Sequence, residues 1–214
     1  MKHILLTGFE PFAGSSINPS WQVAQALHGQ RVGPAAVVAQ CLPCVFGQAL
    51  AVLQSALVTY RPALVLALGQ ASGRCDLSLE RVAINIDDAR IADNAGAQPI
   101  DLPVLAGAPV AYFATLPIKA MVAALRQAGY PASVSQTAGT FVCNHVFFGL
   151  MHSLRRQRSV RAGFMHLPLL PEQAAAEPGS SSLPLATLVA AVRLALEVAW
   201  ATATDLQASA GAEH

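Results

Sequence analysis

Ala63-Leu64-Val65-Leu66-Ala67-Leu68 is a run of six small or branched apolar residues with no polar residue among them. A strand of this kind is covered on both faces, which is the situation of a central strand in a parallel sheet. Working outward, residues 46–60 before it form a helix-length amphipathic stretch that Arg61-Pro62 closes. Further upstream lie a short apolar run at 4–7, a helical stretch at 20–29 and a second apolar run at 35–42. Downstream, 77–86 reads as extended chain and 87–110, with its Asp, Gly and Pro residues, as a long loop. Residues 117–129 then form a helix with Pro near its start and Gly at its end, the usual asymmetry of helix termini. A short strand at 133–136, a helix at 141–157, a strand at 160–166, a polar loop at 171–182 and a last helix at 183–202 complete the pattern.

Alternation of strands and helices predicts a single-domain α/β/α sandwich around a mostly parallel, mixed, twisted sheet. There is no repeat and no linker, so residues 1–214 form one domain, with a tail expected to fray after Asp205. Sites in open α/β sheets gather outside the carboxyl ends of the strands. The segments to search are therefore 8–18, 69–74, 138–143 and 166–168.

Composition narrows the function classes. Of the 214 residues 54% are hydrophobic and only 12% charged, with mean hydropathy +0.46. Typical soluble domains carry about 25% charged residues, so part of this surface is expected to be covered in a homo-oligomer, a dimer or a tetramer. Thirteen basic and twelve acidic residues balance to +1, which offers no electrostatic attraction to nucleic acid or to an anionic membrane. The opening, Met1-Lys2-His3-Ile4-Leu5-Leu6-Thr7-Gly8, has too short an apolar run for a signal peptide. The most apolar segment, 183–200, carries Arg193 and Glu197 and places its bulky residues at helical spacing. It reads as an amphipathic helix on a core rather than a membrane span. Four cysteines without an export signal point to reduced thiols in the cytoplasm.

Chemistry centres on Cys143, which opens the helix at 141–157. Free N–H groups and the helix dipole favour a thiolate there. Its stripe-mates Phe147, Leu150, Met151 and Leu154 equally allow a buried, inert thiol. A base for this sulfur must be a histidine, since imidazole titrates near neutrality. His145 and His152 lie about 200° and 180° around the helix from Cys143 and read as structural. His3, His28 and His214 sit at a strand start, a helix end and the chain terminus. His166 ends a strand at the sheet edge, where it is either a base or a structural cap. Glu80 sits with Val82, Ile84 and Ile86 on one side of extended chain. A carboxylate there needs a partner, either the histidine or a nearby arginine such as Arg74 or Arg81.

Four motifs then occur in order. Gly8-Phe9-Glu10-Pro11-Phe12 with Asn18-Pro19-Ser20 is the first. Gly69-Gln70-Ala71-Ser72-Gly73-Arg74, Glu80-Arg81-Val82-Ala83-Ile84-Asn85 and Asp88-Ala89-Arg90 make up the second. The third is Thr137-Ala138-Gly139-Thr140-Phe141-Val142-Cys143-Asn144-His145, and the fourth Phe164-Met165-His166-Leu167-Pro168. Together they resemble the pyrrolidone carboxyl peptidases (pyroglutamyl peptidase I), a cysteine peptidase family, over nearly the whole chain. The resemblance implies Cys143 as nucleophile, His166 as general base and then acid, and Glu80 as the group orienting His166. It implies Arg90, with the Cys143 N–H, as support for the oxyanion. It also implies a cytoplasmic cysteine exopeptidase acting on peptides with an N-terminal pyroglutamyl residue, without metal or cofactor. Pyroglutamate is a flat, uncharged lactam, so its pocket needs apolar walls and a few hydrogen bonds. Phe9, Phe12, Phe141 and Val142 are candidates for the walls, and Asn18 and Gln70 for reading the lactam. Proline, lacking the ring carbonyl, would leave such readers unpaired.

One position departs from the family's more usual Glu-Pro-Phe-Gly-Gly: Ala13 precedes Gly14. That matters only if the position requires φ > 0. Cys41-Leu42-Pro43-Cys44 supports a different function, a thiol–disulfide oxidoreductase, although Leu42-Pro43 and Phe46 also match the family's Leu-Pro-x-x-Phe turn. No second ligand pair accompanies it for zinc. Arg155, Arg156, Arg158 and Arg161 read as a solvated helix end, and Gly69–Gly73 does not make a nucleotide-binding fingerprint.

Overall fold

The computed structural model describes residues 2–176 and 179–211. His214, residues 177–178 of the expected polar loop and 212–214 of the expected tail lie outside the described residues. In chain order the elements are β1 (Lys2–Phe9), α1 (Pro19–Leu27), β2 (Arg31–Val32), β3 (Ala35–Leu42), α2 (Gln48–Tyr60), β4 (Leu64–Gln70), β5 (Leu77–Glu80) and β6 (Val82–Ile84). There follow β7 (Ala111–Phe113), α3 (Ile118–Gln127), β8 (Ala132–Ser135), α4 (Val142–Leu154), β9 (Arg161–Leu167), α5 (Pro171–Ala174) and α6 (Leu185–Ala201).

Seven strands form one mixed sheet in the order β2-β3-β1-β4-β9-β5-β8. The apolar run at 63–68 falls in β4, whose Leu64 to Leu68 are fully buried. It lies parallel to β1 and β9 on its two sides. One core packs α1, α3 and α6 on one face of the sheet. The other packs α2 and α4 on the opposite face, which makes the expected three-layer α/β/α sandwich.

Local chemistry explains the main boundaries. Asn18 caps α1: its Oδ1 accepts from the Ser20 N–H at 3.0 Å, and Pro19 supplies a fixed φ in the first turn. Gly8 lets α1 lie directly on β1, since a Cβ there would fall 2.3 Å from the Ser20 carbonyl oxygen. The stretch 77–86, expected as one extended segment, breaks after Glu80. β5 enters the main sheet antiparallel to β9, while β6 pairs with β7 in a separate two-stranded ribbon. Three short features lie outside the sequence pattern: the two-residue β2, the three-residue β7 and the four-residue α5 inside the expected polar loop. All three are too short to show a period. The chain beyond 205, where fraying is expected, lies against the domain as far as 211. Asp205 accepts from the Lys119 and Ala120 N–H groups at the start of α3, and the Ala210 carbonyl accepts from Arg81.

Candidate active site

Three elements end at one place. α4 begins at Val142 after Phe141, whose side chain cannot cap a helix, so no side chain satisfies the first N–H groups. Cys143 lies in this uncapped turn. Its sulfur faces β4 at Gly69: a Cβ built there would stand 2.8 Å from Cys143 Sγ and 2.8 Å from the Phe164 ring. Only glycine leaves room for the thiol. Directly beside Gly69, in register across the β4–β9 pair, is His166.

Glu80 arrives from the antiparallel neighbour. Its register partner on β9 is Phe164, so Glu80 and His166 are diagonal neighbours on one face of the sheet, within reach of long side chains. Glu80 Oε1 lies 2.7 Å from His166 Nδ1. The same oxygen accepts from Arg74 Nη1 at 2.9 Å, while Arg74 Nη2 donates to the Thr137 carbonyl at 2.8 Å. Glu80 and His166 are both buried. Since a carboxylate accepts, Nδ1 carries the proton, and Nε2 is left as the basic nitrogen.

Burial sets the resting protonation state. It holds the Cys143 thiol well above the ordinary cysteine value, with Cys44 and Glu80 adding and Arg74 opposing. Part of the residue reaches solvent, yet its sulfur lies against Gly69. Burial also lowers His166 below the ordinary 6.5, a shift that Glu80 opposes and Arg74 reinforces. Burial therefore opposes the thiolate that the helix start alone favours, and it opposes protonation of the imidazole as well.

The remaining candidates separate into two groups. Phe12 and Gln70 line a cavity of about 570 Å³. Phe141 stands against Phe12, with ring centres 6.2 Å apart, and against Phe46 at 5.4 Å. Phe9 and Val142, by contrast, are packed in the core behind the site. Asn18 is engaged as the cap of α1, and its Nδ2 donates to the Glu10 carbonyl. Arg90 is exposed on a loop that Asp88 ties to the nucleophile segment. There the Asp88 N–H donates to the Thr140 carbonyl, and Thr140 Oγ1 donates to the Asp88 carbonyl.

Several supporting residues were not legible as such. Asn144 is fully buried and bonds the backbone of Ile84 and Ile86, fastening α4 to the extended chain. His145 pairs with Asp87 at 2.8 Å and accepts from the Gly47 N–H. His152 meets the Tyr112 hydroxyl at 2.9 Å. Both histidines are structural, as expected from their position on the helix. The sequence offers Arg74 only as a rival partner for Glu80, whereas the structure joins it to the Glu80–His166 pair.

The dithiol reading fails on burial. Cys44 is enclosed and its thiol is pushed up to about 12, first by burial and then by Glu10 and Asp93. Cys41 is raised for the same leading reason. A redox dithiol needs an exposed, acidic attacking thiol. Among the described residues no group of three or more His, Cys, Asp or Glu is arranged to hold a metal ion. No helix of the described residues is long and apolar enough to cross a membrane.

Comparison with known proteins points the same way. A family model described as pyroglutamyl peptidase matches residues 2–202. A pyrrolidone-carboxylate peptidase of Cupriavidus taiwanensis is 61% identical over 216 residues, covering 100% of both chains. One from Klebsiella pneumoniae is 56% identical over 214 residues, again covering 100% of both. The crystal structure of Bacillus amyloliquefaciens pyroglutamyl peptidase I superposes with a TM-score of 0.93 at 44% identity, over 96% of this chain and 100% of that one. A mutant pyrrolidone carboxyl peptidase from Pyrococcus furiosus gives a TM-score of 0.89 at 41% identity, over 93% and 98%.

Proposed function

This chain belongs to the pyroglutamyl peptidase family, and we propose that Cys143, His166 and Glu80 carry out its reaction, removal of an N-terminal pyroglutamyl residue from a peptide. The observation that carries this reading is the buried Glu80–His166 hydrogen bond of 2.7 Å beside the Cys143 sulfur.

As Cys143 Sγ attacks the carbonyl carbon of the pyroglutamyl residue, its proton passes to His166 Nε2. Glu80, bonded to Nδ1, stabilises the imidazolium that forms. The tetrahedral oxyanion is met by the uncapped N–H of Cys143 and by Arg90. Collapse breaks the C–N bond, His166 returns its proton to the leaving amine, and a thioester remains. Water activated by His166 then hydrolyses the thioester, releasing pyroglutamate and restoring the thiol. Phe12 and Phe141 supply the flat apolar walls, and Gln70 the polar contact to the lactam.

Two further readings complete the proposal. Free cysteines throughout fit a reducing cytoplasm. Exposed Ile100, Leu102, Val110 and Phe113 fit a surface buried between copies of the chain, a dimer or a tetramer.

The test is release of a chromophore from a pyroglutamyl amide. Cys143→Ala abolishes it, His166→Ala loses most turnover, and Glu80→Gln loses less because the imidazole is misoriented rather than removed. Cys41→Ser and Cys44→Ser retain it. Full activity in Cys143→Ala would overturn the assignment.

A further inference from the structure

Arg74, in the loop between β4 and β5, bridges two of the segments that carry the site. Its Nη1 donates to Glu80 Oε1 at 2.9 Å and its Nη2 to the Thr137 carbonyl at 2.8 Å. Thr137 lies on the segment that runs from β8 to Cys143 at the start of α4. A guanidinium is planar and always charged, so its two donors hold both acceptors at a fixed separation. The Arg74 side chain is 25% exposed and the Glu80 side chain 0%. A charge fed in from the surface thus meets a carboxylate shut off from solvent.

Both partners of Glu80 converge on one oxygen. Oε1 accepts from His166 Nδ1 at 2.7 Å as well as from Arg74, while Oε2 is buried without a hydrogen-bond partner among the described residues. A buried carboxylate needs such pairing, and among the described residues Arg74 is the permanent cation paired with it. Other charged and titratable groups around the pair are few. Cys143 faces it from α4, with Cys44 adding its influence on the sulfur. Asp76, on the approach to β5, is taken up by the Ser78 hydroxyl at 2.8 Å. Arg81, next along from Glu80, donates to the Ala210 carbonyl. The flanking strands β4 and β8 contain no titratable side chain.

We propose that Arg74 is a positioning residue for the catalytic pair: it holds the Glu80 carboxylate aimed at His166 Nδ1 and ties it to the segment that bears Cys143. This rests on the pyroglutamyl reading above. The same contact sets the pH at which the base is lost. Arg74 opposes a positive charge on the imidazole. Without it, the proton that arrives as pH falls is held more tightly, by His166 or by Glu80, because the two titrate as a pair.

Arg74→Met keeps the bulk and removes the charge. For a pyroglutamyl amide near neutral pH, kcat falls about 10- to 100-fold, part of the roughly 10²–10⁴-fold that a positioned general base contributes, while KM changes far less. The acid limb of kcat/KM moves up by about one pH unit. Arg74→Lys keeps the charge but not the planar fork, so the limb stays near its wild-type position and only part of kcat returns. Guanidinium, added at concentrations too low to unfold the protein, restores activity to Arg74→Ala, since the site of the missing side chain is open to solvent. In a Glu80→Gln background Arg74→Met costs little more. A folded Arg74→Met protein with wild-type kcat and an unmoved acid limb overturns the proposal. So does a loss of activity that neither shifts the limb nor answers to lysine or guanidinium. The His166 ring signals followed by NMR across pH read the same shift without substrate. Absence of amidase activity in the unaltered protein would therefore remove the functional reading and leave the Arg74 test standing.

Discussion

At the scale of single residues the site is governed by desolvation. The sulfur of Cys143 stands at a helix start that attracts anions, yet burial raises its pKa, and the same burial lowers His166. Both shifts disfavour a preformed thiolate–imidazolium pair. The pH dependence follows in sign. His166 must be neutral to accept the proton, and its lowered pKa keeps it neutral below the ordinary 6.5. The acid limb of kcat/KM is expected below pH 6.5 and is read from a pH–rate profile. Stability follows the same group: the unfolded imidazole gains its proton first as pH falls, so the contribution of neutral His166 is complete above 6.5 and is lost progressively below it. Buried Cys44 and Cys143 act on the alkaline side. Their stability contribution is present below the ordinary 9.0 and declines as pH rises past it. Melting temperature measured across pH is expected to fall on both flanks.

At the scale of elements, glycine and its replacements decide how closely segments approach. Gly8 permits contact between β1 and α1, and Gly8→Ala forces the new Cβ against the Ser20 backbone. Overpacking of this kind costs about 3 kcal/mol, which thermal denaturation would register as a drop of roughly 10 °C. Ala13, the departure from the family's double glycine, has φ +51°, a left-handed conformation that an alanine adopts at a cost of about 1–2 kcal/mol. Its position in the lining of the cavity puts that strain in the pocket loop. Ala13→Gly is expected to relieve about 1 kcal/mol of it, seen as a melting temperature higher by about 3 °C. An unchanged or lower value would show that the loop needs the methyl group more than the freedom.

For the whole molecule, a 12% charged chain leaves large apolar side chains at its surface. Val110 and Phe113 are 85% and 71% exposed; Phe113 ends β7 of the β6–β7 ribbon and Val110 immediately precedes that strand. Light scattering is expected to give a mass of two or four chains, and Phe113→Asp to shift it toward one. A monomer at micromolar concentration would show that this surface is tolerated in water. The tail through residue 211 reinforces the domain on its other face, where Asp205 receives the first N–H groups of α3.

Much of this was written in local pattern. The buried run at 63–68, the helical spacing around it and the positions of Cys143, His166 and Glu80 at element ends are properties of neighbouring residues, and neighbours are what a sequence displays. The three-layer sandwich and the candidate triad follow from them with the family motifs. Other features depend on residues far apart in the chain. The register that sets His166 beside Gly69 and diagonal to Glu80 arises from strand pairing, as does the break after Glu80. Asn18 and Gln173 show the same limit, since an amide advertises both a donor and an acceptor but not which partners will claim them. Only the folded chain brings Leu170, Ile17 and Gln70 around one side chain, and only burial raises the Cys143 thiol above its ordinary value.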